Sequence, residues 1–193
     1  MLKLLGIGVL LLPVASTPGD FARPETVTLR RVPEGGIQPQ VAVDRMGNLH
    51  MVYYKGDPGH GDLYYVRSRD GGVSFSAPLR VNSIVDSAIA TGNIRGASIA
   101  VGGNGRVHVA WNGSHTLTPG RVYGKEPMLY TRLNDAWAAC EPQRDLIQMA
   151  RGIDDGGALA ADAFGNVYVV WHAPRARHRR RKQSARLDRP LNR

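Results

Sequence analysis

Val43-Asp44-Arg45-Met46-Gly47-Asn48-Leu49-His50-Met51-Val52-Tyr53-Tyr54 decides how the chain folds, because the same pattern occurs three times. The second copy is Val101-Gly102-Gly103-Asn104-Gly105-Arg106-Val107-His108-Val109-Ala110-Trp111-Asn112. The third is Ala161-Asp162-Ala163-Phe164-Gly165-Asn166-Val167-Tyr168-Val169-Val170-Trp171-His172. They align without gaps, and Gly47, Gly105 and Gly165 are spaced by 58 and 60 residues. Each copy reads as a hairpin. A short apolar strand leads in: Gln40-Val41-Ala42-Val43, Ser98-Ile99-Ala100-Val101 and Leu159-Ala160-Ala161. The turn carries Gly-Asn or Asn-Gly, residues that accept positive φ. The strand after it alternates with period two and ends in an aromatic: Leu49, Met51 and Tyr53; Val107, Val109 and Trp111; Val167, Val169 and Trp171. Asp44 and Asp162 sit where a carboxylate can accept N–H groups of the turn.

A second pair of strands follows each hairpin. Leu63-Tyr64-Tyr65-Val66-Arg67 runs through Ser68-Arg69-Asp70-Gly71-Gly72-Val73-Ser74-Phe75 into Ala77-Pro78-Leu79-Arg80-Val81. In the second copy the match is Leu129-Tyr130-Thr131-Arg132, then Asn134-Asp135 and a worn stretch to Cys140. One unit is therefore four strands, and four-stranded units in tandem are the pattern of a β-propeller. The predicted fold is all-β: an incomplete β-propeller of about two and a half four-stranded blades over residues 36–174, after a lead-in at 17–35.

Charge has to be read by segment. The chain has 193 residues and a formal net charge of +9. Residues 175–193 carry nine basic groups against Asp188, a net of +8, so the rest of the chain is nearly neutral at +1. The basic tail has no apolar periodicity and reads as disordered. Arginine-rich runs can hold phosphates, so nucleic-acid binding is a reading confined to the tail; none is expected of the body. The apolar alternation stops within four residues of Trp171. That abrupt stop reads either as a propeller interrupted by non-native sequence, as after a frameshift, or as a fragment that associates with copies of itself through open blade edges. At the other end, Lys3 precedes the apolar run Leu4 to Leu12, and Val14-Ala15-Ser16 offers small residues for cleavage. Residues 1–16 thus read as a secretory signal, too short to span a bilayer. Export to the cell envelope, periplasmic or secreted, is expected, with no membrane contact beyond that segment. Cys140 is the only cysteine, which excludes a disulfide framework and a cysteine-cluster zinc site.

Ser68-x-Asp70-x-Gly72-x-Ser74-Phe75 fits the Asp-box pattern Ser-x-Asp-x-Gly-x-Thr-aromatic. Its physics is structural: the carboxylate accepts hydrogen bonds of its own turn, the glycine allows the reversed backbone, and the aromatic packs on the sheet. With this box, a degenerate one at Asp135 and the three hairpins, the chain resembles the sialidase-like propellers, also called BNR or Asp-box repeat proteins. Such propellers include sialidases, other glycosidases and non-catalytic modules that bind sugars or proteins. The resemblance implies a glycan or glycoconjugate partner and no cofactor. It also implies, for an active member, an arginine triad, a Tyr–Glu nucleophile pair and an aspartate acid/base. The first family arginine belongs to an Arg-Ile-Pro motif. Here the matching stretch is Ile37-Gln38-Pro39, which keeps the proline and lacks the arginine. By repeat alignment, Arg95 occupies the equivalent site in the second copy.

Topology puts the Asp box and the Gly-Asn turns at one end of the blades and longer loops at the other. Those loops carry residues 54–62, 86–95, 112–128 and 151–156, and His172. Family acids sit on the first of them, so Asp57 and Asp62 are the candidate acid/base residues and Arg95 the candidate anion clamp. His60, Asn112, His172 and Asp155 are candidate substrate-binding residues. His60, His115, His172 and the Asp154-Asp155 pair suit sugar or metal, although no metal site is assigned. Trp111 and Trp171 suit either sugar stacking or the core. Asn112-Gly113-Ser114 matches a glycosylation acceptor. Two functions remain open: a fragment of a secreted sialidase-like glycoside hydrolase, inactive as this chain, or a non-catalytic sugar- or protein-binding Asp-box propeller.

Overall fold

The computed structural model describes residues 27–91, 96–114, 126–147 and 156–172. Those residues form three antiparallel sheets and no α-helix. The first sheet is a meander of β1 (Ile37–Val43), β2 (Leu49–Asp57), β3 (His60–Ser68) and β4 (Leu79–Arg80). The second repeats it with β5 (Ser98–Val101), β6 (Val107–Asn112), β7 (Met128–Arg132) and β8 (Arg144–Asp145). The third is the hairpin of β9 (Gly157–Ala161) and β10 (Val167–Trp171). The signal segment, Arg95, His115, Asp154, Asp155 and the basic tail lie outside the described residues.

The three hairpin turns close as their sequences require. Gly47, Gly105 and Gly165 take φ of 82°, 76° and 89°, values that an L side chain rarely adopts. Asp44 Oδ1 accepts the N–H groups of Met46 and Asn48, and Asp162 Oδ1 does the same for Phe164 and Asn166. In the second turn Gly102 replaces the aspartate, and Asn104 Oδ1 accepts the Arg106 N–H instead.

Alternation then decides what each sheet buries. Val52, Tyr54, Leu63 and Tyr65 on the first sheet meet Val107, Val109, Trp111 and Leu129 on the second, forming the main core. Behind them, Ala110 and Met128 of the second sheet meet Leu159, Val169 and Trp171 of the third. The aromatic-ending strands thus aim one face at the preceding sheet: Trp111 at the first, Trp171 at the second. The matching face of the first sheet, Met51 and Tyr53, is covered by Val32 and by Phe75 of the Asp box. Apolar surface stays open at both ends of the stack. Val41 and Val43 on β1 are 54% and 60% exposed, and Tyr168 and Val170 on β10 are 56% and 63% exposed.

One expected loop is strand. β2 and β3 stay paired out to Asp57↔His60, with Lys55↔Asp62 and Gly56↔Gly61 in register. Only Pro58 and Gly59 remain as the turn. The glycines permit this pairing: a Cβ on Gly56 would come within 2.8 Å of the Gly61 backbone.

Candidate functional site

The end of the sheets opposite the Asp box gathers several of the expected residues. Residues 86–90 run between the first two sheets and stitch them together. Ala88 exchanges backbone hydrogen bonds with Gly61, Ser114 N–H donates to Ser87 O, and Ile89 N–H donates to Asn112 O. This brings Asp57, His60, Asp62, Asp86 and Asn112 to one end of the molecule.

Their bonds are largely structural. Asp62 Oδ1 accepts from Asn82 Nδ2 at 2.6 Å and from the Asp86 N–H at 2.9 Å. Asn82 Oδ1 in turn accepts the Leu63 N–H. Asp62 is thereby the anchor of the segment after β4. Asp57 Oδ1 accepts the Gly59 N–H at 2.8 Å and holds the two-residue turn. Tyr54 donates its hydroxyl to the Asp57 carbonyl. Burial first, then the nearby carboxylates of Asp57, Asp62 and Asp86, push its phenol up to about 12, so it acts as a donor. His60 stays half exposed, with Nδ1 3.9 Å from Asp86 Oδ1. His172 follows β10 at the corresponding end of the third sheet.

Burial corrects the reading of Asn112 and selects the core alternative for Trp111 and Trp171. Asn112 is only 2% exposed, which removes its side chain from an external glycan and from a glycosylating enzyme. Trp111 is 1% exposed and donates Nε1–H to Ser87 O, so it is core and not a stacking platform. Trp171 packs between the second and third sheets. Gln38 follows Ile37, the residue that aligns with Arg95 and with the arginine that the resemblance implies. It holds a φ of 50°, accepts the Gly96 N–H on Oε1 and donates to Ala90 O. It therefore bridges the start of β1 to the segment leading into β5.

The Asp box folds as a self-contained turn. Asp70 accepts from Ser68 Oγ, Ser74 N–H and Ser74 Oγ, and Ser68 Oγ accepts the Gly72 N–H. Bonds from Ser74 and Ser68 hold the Asp70 carboxyl well below the usual carboxylate range. That is the state of a fixed acceptor, unsuited to delivering a proton at neutral pH. The degenerate box centres one residue earlier than expected. Asn134 Oδ1 accepts the Ala138 N–H, as Asp70 accepts the N–H four residues on, whereas Asp135 pairs with Arg106.

At the Asp-box end the sequence reading missed a constellation. His50 is fully buried, with Nδ1 2.7 Å from Tyr65 Oη and Nε2 3.3 Å from Asp44 Oδ2. Burial lowers the His50 pKa, and the Asp44 carboxylate offsets this only in part. A neutral ring fits both contacts: Nε2–H donates to Asp44 and Nδ1 accepts from Tyr65. Burial raises the Asp44 carboxyl, yet bonds from Asn48, His50 and Met46 outweigh it and hold the group at about 2. His108 and Tyr130 repeat the pair in the second sheet at 2.8 Å. Trp137, reaching over from the second sheet, packs edge-on against His50 and lies under the Arg67 guanidinium, 4.5 Å from ring centroid to Cζ. The repeat alignment contains the signal for the buried pairs, because His50 and His108 hold the same place in their copies.

Among the described residues no group of three or more His, Cys, Asp or Glu side chains is placed to hold a metal. Among them, too, no helix is long and apolar enough to cross a membrane. Comparison with models of known families, and with curated proteins, gives no match for this chain.

Proposed function

We propose that the chain is part of a sialidase-like Asp-box β-propeller that is exported and binds glycans without cleaving them. The packing repeat carries this reading. Equivalent strands aim equivalent faces at the preceding sheet, and the leading strands β1, β5 and β9 are neighbours, as inner strands of adjacent blades would be. The Asp-box turn at Asp70 joins β3 to β4, where such a blade carries it.

Binding without turnover is supported by how the candidate acids are used. Asp57 and Asp62 each commit Oδ1 to structural bonds, Asp57 to the Gly59 N–H and Asp62 to Asn82 Nδ2 and the Asp86 N–H. Ile37 stands where the resemblance implies a carboxylate-binding arginine. The glycosidase reading draws on one observation, the gathering of Asp57, His60, Asp62 and Asp86 around a single strand end. A fluorogenic sialoside assay and a glycan-binding panel on the whole chain separate the two. Glycan retention with no turnover is expected. Turnover that disappears in Asp62→Asn would overturn the binding-only reading.

A further inference from the structure

The two sheets carry the same trio of side chains in two electrostatic settings. In the first sheet, His50 faces Arg67 across the strand pair and bonds Tyr65. In the second, His108 faces Arg132 and bonds Tyr130. The residue returning beside each arginine is fixed by an equivalent backbone bond. Ser76 N–H donates to Arg67 O at 2.8 Å, and Glu141 N–H donates to Arg132 O at 3.0 Å. Ser76 and Glu141 therefore occupy one position in two copies of the same structure.

The consequence is chemical. Glu141 places its carboxylate 2.6 Å from Arg132 Nε, and it also meets Arg144. Ser76 has no carboxylate to give. Its Oγ accepts the Arg67 N–H and donates to Ala77 O. Among the described residues, Arg67 makes no ion pair, and its guanidinium carbon lies over the Trp137 ring. The ring buttresses the guanidinium by a cation–π contact, and a guanidinium with no internal carboxylate partner is suited to a planar carboxylate. Arg67 and Trp137 line a cleft of about 300 Å³ between the sheets, with Tyr65, Ser76, Pro78 and Leu79 as further walls. The volume suits a single sugar-sized group.

We propose that this inter-sheet cleft binds a small carboxylate-bearing ligand, an acidic monosaccharide unit, with Arg67 as the anion clamp and the Trp137–Pro78–Leu79 wall against the body of the ring. The second sheet shows the clamped state with an internal carboxylate. The choice of an acidic sugar over other carboxylates rests on the glycan-binding reading above; the carboxylate recognition itself does not. The site lies at the Asp-box end, remote in the fold from the Asp57–Asp62 cluster.

Isothermal titration of the whole chain with sodium glucuronate, sodium acetate and glucose tests it. Glucuronate is expected to bind, acetate to bind more weakly, and glucose to give no heat. Arg67→Gln is expected to weaken glucuronate by at least about tenfold, since a charge-assisted bond is lost. Ser76→Glu is expected to do the same by supplying the carboxylate that Glu141 gives Arg132, and it keeps the test open should Arg67→Gln fail to fold. No heat from glucuronate, equal binding of glucose, or unchanged affinity in a folded variant would each overturn the proposal. Acetate as strong as glucuronate would overturn the sugar as ligand. A chain that cleaves sialosides yet loses glucuronate on Arg67→Gln would refute only the binding-without-turnover reading.

Discussion

The buried histidines make stability depend on pH in a way that can be worked out in advance. His50 is 0% exposed and His108 is 4% exposed, and burial lowers the pKa of both from 6.5. A group whose folded pKa is depressed contributes stability above its unfolded pKa and loses it as pH falls. The unfolded chain binds the extra protons, so acid favours unfolding. At pH 5.5 an ordinary histidine is about 90% protonated, so a lowered ring pKa can cost at most about 1.4 kcal/mol relative to neutral pH, the limit for a ring that stays wholly neutral in the fold. Two such rings give up to about 2.8 kcal/mol between pH 7.5 and 5.5, a large share of a typical domain stability of about 5–15 kcal/mol. The Asp44 carboxyl, held at about 2, adds nothing in that window. Guanidinium unfolding followed by tryptophan fluorescence, at pH 7.5, 6.5 and 5.5, measures the slope. Gln can both accept from Tyr65 and donate to Asp44 without titrating, so His50→Gln with His108→Gln should remove most of the pH dependence attributed to these rings. A flat wild-type profile, or the same slope in the double variant, would refute the reasoning.

Three further outcomes follow from the geometry. Gly72→Ala should cost about 1–2 kcal/mol in denaturant unfolding, because its φ of 86° is left-handed and the turn is pinned by Ser68. Trp111→Ala should cost about 3–5 kcal/mol, the range for a buried aromatic, whereas a sugar platform at that position would lose glycan binding with little loss of stability. The open apolar strands should drive concentration-dependent association, visible in sedimentation velocity and reduced by Val43→Lys with Val170→Lys; a chain that stays monomeric at all concentrations would contradict this.

The hairpins were legible because two independent signals coincide at each one: a glycine forced to positive φ and a strand of strict alternation. Both are local, and both survive in the structure. The β2–β3 extension was hidden for a local reason too. Gly56-Asp57-Pro58-Gly59-His60-Gly61 is dense in turn formers, yet only Pro58 and Gly59 turn, and the other glycines serve close strand approach. The shift of the degenerate box from Asp135 to Asn134 has the same character. Both residues carry an acceptor oxygen, and only the spacing to the receiving N–H, as at Asp70 and Ser74, distinguishes them. Asp57 and Asp62 lie at one end of the first sheet, but a sequence does not display that Asn82 and the Asp86 N–H already claim Asp62 Oδ1.

The Arg67 cleft was invisible for a different reason, and that reason bears on how repeats diverge. Arg67 and Trp137 come from different copies, so no window along the chain contains both. What the repeat does contain is its own control. Two copies of one backbone keep the histidine, the tyrosine and the arginine, and differ in the residue that returns beside the arginine. An arginine kept only for packing gains from an internal partner, as Arg132 does from Glu141 and as Arg106 does from Asp135. Arg67 instead faces Ser76 and rests on an aromatic that must hold φ at 53° to reach it. A backbone in that region costs on the order of 1–3 kcal/mol unless its surroundings enforce it. Trp137 is enforced by its Nε1–H bond to Gly105 O and by packing on His50, so the strain is met by contacts that also hold the ring beneath the guanidinium. The difference between the two arginines therefore lies in the carboxylate partner that the first one lacks among the described residues, and a carboxylate is the group the second copy has already selected for that position.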